Sequence, residues 1–182
     1  MKFKIFIPVI MVASLFTLTS CNKKVEEQPA NNQLEKYNSE PVASNPGKAA
    51  DFTLKNAKGG MDVKLSDYKG KVVILDFWAT WCGPCRRGVP DLVDLKNKYG
   101  DQVEIIGISV DDERTIAEVP GFMTEYKINY PVAYADQSVV SAYGGIEAIP
   151  TSFIVDKEGN IIDRHVGLVE KSVYEEAINR LK

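Results

Sequence analysis

The chain has 182 residues, 45% hydrophobic and 26% charged, with 22 Lys and Arg against 25 Asp and Glu and a formal charge of −3. That is enough for one ordinary domain with a real core plus an appended segment. Lys and Arg are scattered among acids with no basic stripe, which excludes a nucleic-acid partner recognised by charge.

The N-terminus reads as a leader. Lys2 and Lys4 precede an apolar run over residues 5–18, which is shorter than the ~20 residues that span a bilayer as a helix. Residues 1–20 are therefore a predicted signal peptide. Leu18-Thr19-Ser20-Cys21 resembles the lipobox of bacterial lipoproteins, in which the cysteine becomes the lipidated first residue. This resemblance implies lipidation of Cys21 and a location in the cell envelope, held to a membrane and facing the periplasm or exterior. Without the leader's two lysines, residues 21–182 carry 20 basic against 25 acidic side chains, a balance of −5.

Residues 21–48 are rich in Asn, Gln, Glu, Lys, Pro and Ser and hold few large apolar groups, the composition of a flexible tether. A chain of this length reaches about 25–30 Å. Residues 49–182 form the predicted domain. Asp51-Phe52-Thr53-Leu54 and Val63-Lys64-Leu65 flank Lys58-Gly59-Gly60 as an N-terminal hairpin. Residues 71–78 (KVVILDFW) and 103–110 (VEIIGISV) read as strands buried on both faces. Between them Val89, Leu92, Val93 and Leu95 recur at helical spacing up to Gly100. A helix is expected to begin near Pro120 and a strand to occupy residues 131–134, followed by a short helix over 138–143. A hairpin turns through Asp156-Lys157-Glu158-Gly159-Asn160, and residues 171–181 form an amphipathic closing helix. Strands alternating with helices predict a mixed α/β sandwich around one central sheet.

Trp81-Cys82-Gly83-Pro84-Cys85 carries the chemistry. It lies where a strand turns into a helix, which places Cys82 at the helix N-terminus. There the unpaired N–H groups and the positive end of the helix dipole favour thiolate over thiol. Pro84 suits the first turn, where its missing N–H costs nothing. The pair can close a small ring by local rotation, which predicts a redox-active disulfide. As a structural staple, a bridge over two residues restrains little chain entropy. Half of a zinc site is disfavoured by the lack of a second cysteine pair, so no metal is expected. Asp76 interrupts an apolar strand six residues before Cys82. Burial is expected to raise its proton affinity and make it the acceptor for the Cys85 proton.

Across residues 50–182 the chain resembles the thioredoxin superfamily, and within it the membrane-tethered TlpA/ResA-like branch. Asp51-Phe52-Thr53-Leu54, residues 65–71 (LSDYKGK), 77–85 (FWATWCGPC), Pro90 and Ile149-Pro150-Thr151 fall in family order. The resemblance implies a three-layer sandwich, a central mixed β-sheet flanked by helices, with an N-terminal hairpin and a TlpA/ResA-type insertion between Val110 and Ile149. It also implies a thiol-disulfide oxidoreductase that needs no cofactor beyond the Cys82–Cys85 disulfide. Cys82, expected to be the more exposed cysteine, attacks a partner disulfide and Cys85 resolves the mixed disulfide. Trp81, Gly83, Pro84, Ile149 and Pro150 contact the partner, with Pro150 the family's cis-proline and Ile149 pairing its backbone with the bound chain. Where thioredoxins often set a lysine beside the buried aspartate, this chain has Gly107, and Gly88 stands where family members often have an acid. Trp78 is expected in the core and His165 on the surface; Arg86 and Arg87 could favour the Cys82 thiolate, although charges in the first turns of a helix are usually just solvated.

The partners implied are protein dithiols and disulfides, apocytochrome c among them, together with a membrane electron-donor protein; the domain itself is expected to be monomeric. Two other functions share the fold. A peroxiredoxin-like peroxidase needs a lone peroxidatic cysteine beside a threonine and an arginine. A copper-binding assembly factor has three residues between its cysteines and a distant histidine ligand. The spacing of two disfavours both.

Overall fold

The structure, a computed structural model, describes residues 47–182. The predicted signal peptide 1–20, the lipidation site Cys21 and all of the predicted tether except Gly47 and Lys48 lie outside the described residues.

The centre of the domain is a strand with no solvent face. β3 (Val72–Trp78) is buried at all seven positions, as its β-branched and aromatic sequence requires. It pairs in parallel with β4 (Val103–Ser109) and antiparallel with β6 (Thr151–Val155). β5 (Val132–Tyr134) adds in parallel outside β4, and β7 (Ile161–Val166) antiparallel outside β6, giving the order β5-β4-β3-β6-β7. The parallel pairs are joined by crossover helices, α1 (Gly83–Tyr99) between β3 and β4 and α2 (Val119–Glu125) between β4 and β5. α3 (Gln137–Ala142) leads into β6, and α4 (Lys171–Leu181) closes the chain.

Alternation along the strands builds two cores. Val72, Ile74 and Trp78 of β3 face one layer with Val89, Leu92 and Leu95 of α1, Phe122 of α2 and Ala177 and Ile178 of α4. Val73, Leu75 and Phe77 face the other layer, with Phe52, Leu54, Val139 and Tyr143. That second layer is made by α3 and by the N-terminal hairpin, in which β1 (Thr53–Leu54) pairs antiparallel with β2 (Val63–Lys64). The hairpin also covers the sheet edge at β5: Ala57 N–H donates to the Val132 carbonyl and Tyr134 N–H to the Lys55 carbonyl. The outcome is the three-layer, mixed-sheet sandwich expected from the sequence, with every predicted strand and helix in place.

The chain enters at the pole opposite Cys82. The Gly47 carbonyl accepts from Ile161 N–H, Lys48 bridges to Asn160, and Ala49 N–H donates to the Gly159 carbonyl. These bonds hold it beside the turn between β6 and β7. Cys82 lies past the C-terminal end of β3, the end where open parallel sheets form their sites.

Candidate functional site

Cys82 caps α1. Its backbone is extended, and its sulfur accepts from the Cys85 N–H at 3.2 Å. The Arg86 N–H donates to the Cys82 carbonyl and starts the helical ladder. Pro84 occupies the first turn, and Cys82 and Cys85 are joined by a disulfide. The same N–H that approaches the sulfur here stabilises a thiolate when the pair is reduced.

The loop before the cysteines is pinned by residues that the sequence reading left unremarked. Asp111, just past β4, accepts from the Thr80 N–H at 3.0 Å, the Thr80 hydroxyl at 2.6 Å and the Ser109 hydroxyl at 2.8 Å. Thr80, Ser109 and Asp111 are buried. A carboxylate with three donors has its acceptors satisfied and fixes the turn leading to Cys82. The only signal in the sequence was an acid at the end of a buried strand.

Ile149-Pro150 is cis, as expected, and its loop lies against the disulfide. The Ile149 carbonyl is 3.7 Å from Cys82 Sγ. Cys82 is the more exposed cysteine by a single percentage point only, because the loop and the bond to Cys85 leave the two 4% and 3% exposed. What distinguishes Cys82 is its place at the helix N-terminus. Trp81 beside it is 60% exposed and Trp78 is fully buried, both as expected, while Gly83 and Pro84 are exposed at the start of α1.

Two charged-residue expectations are also revised. Arg86 does not simply hang in solvent: its Nε donates to the Tyr126 hydroxyl at 2.9 Å, and its guanidinium lies over the Phe122 and Tyr126 rings. Those rings stack on each other and, through Phe122, on Trp78. Arg87 is exposed. His165 is not a surface residue. It is 4% exposed because α4 packs over β7 and sets Tyr174 edge-on to its ring.

Asp76 lies at the fifth position of β3, 5% exposed, and accepts no hydrogen bond from the described residues. Burial alone pushes its pKa up to about 7 from 3.8. Its register partner on β4 is Gly107, as expected. A Cβ on Gly107 would come within 2.8 Å of Trp78 Nε1 and 3.3 Å of Tyr130 Cε2. The indole and the phenol fill the place a lysine would need. Asp76 therefore stays without an ion partner. It shares a cavity of about 20 Å³ with Cys85, Gly88, Pro150, Leu168 and Tyr174, room for one water molecule between carboxyl and thiol. Among the described residues no cluster of three or more His, Cys, Asp or Glu side chains could hold a metal ion.

A cysteine pair at a helix N-terminus, a cis-proline loop over it and a buried acid behind it, on this sheet, define a thioredoxin-like thiol-disulfide oxidoreductase. The chain belongs to the AhpC/TSA family, whose pattern matches residues 46–164. It is 33% identical over 150 residues to the thioredoxin-like protein YneN of Bacillus subtilis, covering 81% of this chain and 87% of that one. With the thiol-disulfide oxidoreductase ResA of Bacillus thuringiensis it shares 36% identity over 124 residues, 67% of this chain and 70% of ResA. The crystal structure of a thiol:disulfide interchange protein of the thioredoxin family from Chlorobium tepidum superposes with a TM-score of 0.69 at 30% identity, covering 76% of this chain and 97% of that one.

The raised proton affinity of Asp76 has a consequence for stability. The folded protein binds this proton more tightly than the unfolded chain, so wild-type stability falls as pH rises from about 4 to about 7 and then levels. Asp76→Asn removes that dependence. Its advantage over wild type in urea unfolding is expected to be absent near pH 4 and to grow to a few kcal/mol by pH 8. An advantage independent of pH would show that Asp76 is not desolvated.

Proposed function

We propose that this protein is an exported, lipid-anchored reductant of protein disulfides, of the kind that keeps the haem-site cysteines of apocytochrome c reduced. The observation that carries this reading is the cavity in which Cys85 and Asp76 meet beneath the capping Cys82. The Cys82 thiolate attacks a partner disulfide, forming one mixed disulfide and releasing one partner thiolate. Asp76 then takes the Cys85 proton, directly or through one water. The Cys85 sulfur bonds to Cys82, and the second partner sulfur leaves as thiolate. The partner gains two electrons and the enzyme becomes the disulfide. A membrane protein dithiol returns the pair to the reduced state.

Trp81, Gly83, Pro84, Ile149 and Pro150 form the docking rim. Trp81 offers an exposed apolar face, and the chain around Ile149 offers backbone for strand-like pairing with the partner. Gly83-Pro84, the dipeptide of thioredoxin itself, favours the reducing direction. Export and anchoring rest on the leader over residues 1–20 and on Leu18-Thr19-Ser20-Cys21. No helix among the described residues is long and apolar enough to cross a membrane.

Residues 49–182 are expected to reduce insulin disulfides and Cys82→Ser to abolish this, whereas Cys85→Ser accumulates mixed disulfides in cells. Retained activity in Cys82→Ser, or trapping by Cys82→Ser in place of Cys85→Ser, would reverse the assigned roles. For the anchor, Cys21→Ser in the full chain is expected to lose palmitate label and leave the membrane fraction. Unchanged retention would mean that the apolar N-terminus itself holds the protein.

A further inference from the structure

The cavity shared by Asp76 and Cys85 has one thin wall. Of the residues that line it, Asp76, Cys85, Leu92, Pro150, Val169 and Tyr174 are buried. The others, Gly88 of α1 and Gly167 and Leu168 after β7, reach the surface. Two of these are glycines. The side chain that forms the solvent-facing wall is therefore Leu168, itself 40% exposed.

The backbone on both sides is shaped to bring Leu168 there. Gly167 has φ +93°, and its N–H donates to the Pro150 carbonyl at 2.7 Å, which ties the segment to the cis-proline loop. Val169 then turns into the core, just ahead of α4. On the facing side, α1 offers no side chain at Gly88. A Cβ at that position would come within 3.1 Å of Leu168 Cδ1, closer than the ordinary carbon contact of about 3.5–4.0 Å. Any side chain at residue 88 would thus push the leucine aside. The glycine is its seat.

We propose that Leu168 is a positioning residue for disulfide exchange, acting through Asp76: seated on Gly88, it shuts bulk water out of the cavity in which Asp76 takes the Cys85 proton. The inference rests on the acceptor role proposed for Asp76. Burial is the cause of the raised proton affinity of this carboxyl, so the wall that completes the burial sets its strength as a base. Shortening Leu168 removes the branched end that closes the wall, and a cavity with room for one water joins the solvent. The titratable groups that face Asp76 are Cys85 of α1, Tyr174 of α4, Tyr130 ahead of β5 and, beyond Ser152 on β6, His165 of β7. A substitution at Leu168 leaves all of them in the chain. A shift at Asp76 then reports the entry of water.

The test follows the Asp76 carboxyl carbon by NMR from pH 4 to 9 in the oxidised protein, where the cysteines do not titrate. The wild-type midpoint near 7 is expected to fall by about one unit in Leu168→Ala, a tenfold loss of proton affinity. Leu168→Met, which restores apolar bulk, is expected to keep the wild-type midpoint. Leu168→Asn, of similar shape but polar, is expected to lower it, and decides should Leu168→Ala fail to fold. Lost packing alone would cost the same stability at every pH and leave the midpoint in place. With the wall open, the deficit against wild type in urea unfolding is instead largest near pH 4 and smaller by pH 8. A midpoint that does not fall in Leu168→Ala, or that falls equally in Leu168→Met, overturns the inference. These midpoints are equilibrium properties of the free protein, whereas the acceptor role of Asp76 is read from the rate of mixed-disulfide resolution. The rise of that rate with pH is expected to move about one unit lower in Leu168→Ala, together with the midpoint. Slow resolution in Asp76→Asn with an unshifted midpoint in Leu168→Ala removes this inference and leaves the acceptor role standing. A shifted midpoint with an unmoved resolution profile refutes the acceptor role and with it any part for Leu168 in the reaction.

Discussion

A carboxyl group buried without an ion partner, on the central strand and behind the disulfide, is the constraint around which the site is arranged. β3 is covered on both faces and paired on both edges, so Asp76 is held in the interior, 5% exposed. Its charged form is therefore costly, and its proton affinity moves into the range where a thiol proton can be exchanged. The same desolvation costs stability as pH rises from about 4 to about 7. The domain retains a destabilising group at the position where its chemistry needs one.

Several packing features keep that group unpaired. Gly107 opposite Asp76 leaves space that Trp78 and Tyr130 fill, and Phe122 packs on Trp78 from α2. The Arg86 guanidinium is held on Tyr126 and Phe122 at the rim. On the loop side, Asp111 gathers the Thr80 and Ser109 donors and fixes the turn before Cys82. The two buried acids thus differ in role through their partners alone: Asp111 is fully hydrogen-bonded, while Asp76 is bonded to nothing among the described residues. The first positions the cysteine; the second is free to titrate.

The sequence made the fold and the centre of the site legible where one local signal sufficed. β3 and β4 announced themselves as unbroken apolar runs, α1 by its periodicity and Gly100, and the β6–β7 turn by Asp156 through Asn160. Pro150 and the cysteine pair were recognisable as motifs. What escaped depends on which distant element lands where. Along β7 the run Ile161-Ile162-Asp163-Arg164-His165-Val166 looks like an exposed edge, and only the docking of α4 buries His165. Cys82 looks exposed until the Ile149 carbonyl, 67 residues away in sequence, is brought to its sulfur. Arg86 meets Tyr126 and Thr80 meets Asp111 only because β4 and α2 fold back beside the start of α1. None of these pairings has a periodic or motif signature.

The central claim is that Asp76 accepts the Cys85 proton, and the rate of mixed-disulfide resolution tests it most directly. Stopped-flow tryptophan fluorescence, with Trp81 adjoining the disulfide, follows this step in wild type and Asp76→Asn from pH 6 to 9. Asp76→Asn is expected to be about tenfold slower near neutral pH, the low end for a general base because thiols are already acidic. The deficit should shrink toward pH 9 as Cys85 ionises unaided. Equal rates across the whole range would contradict the account.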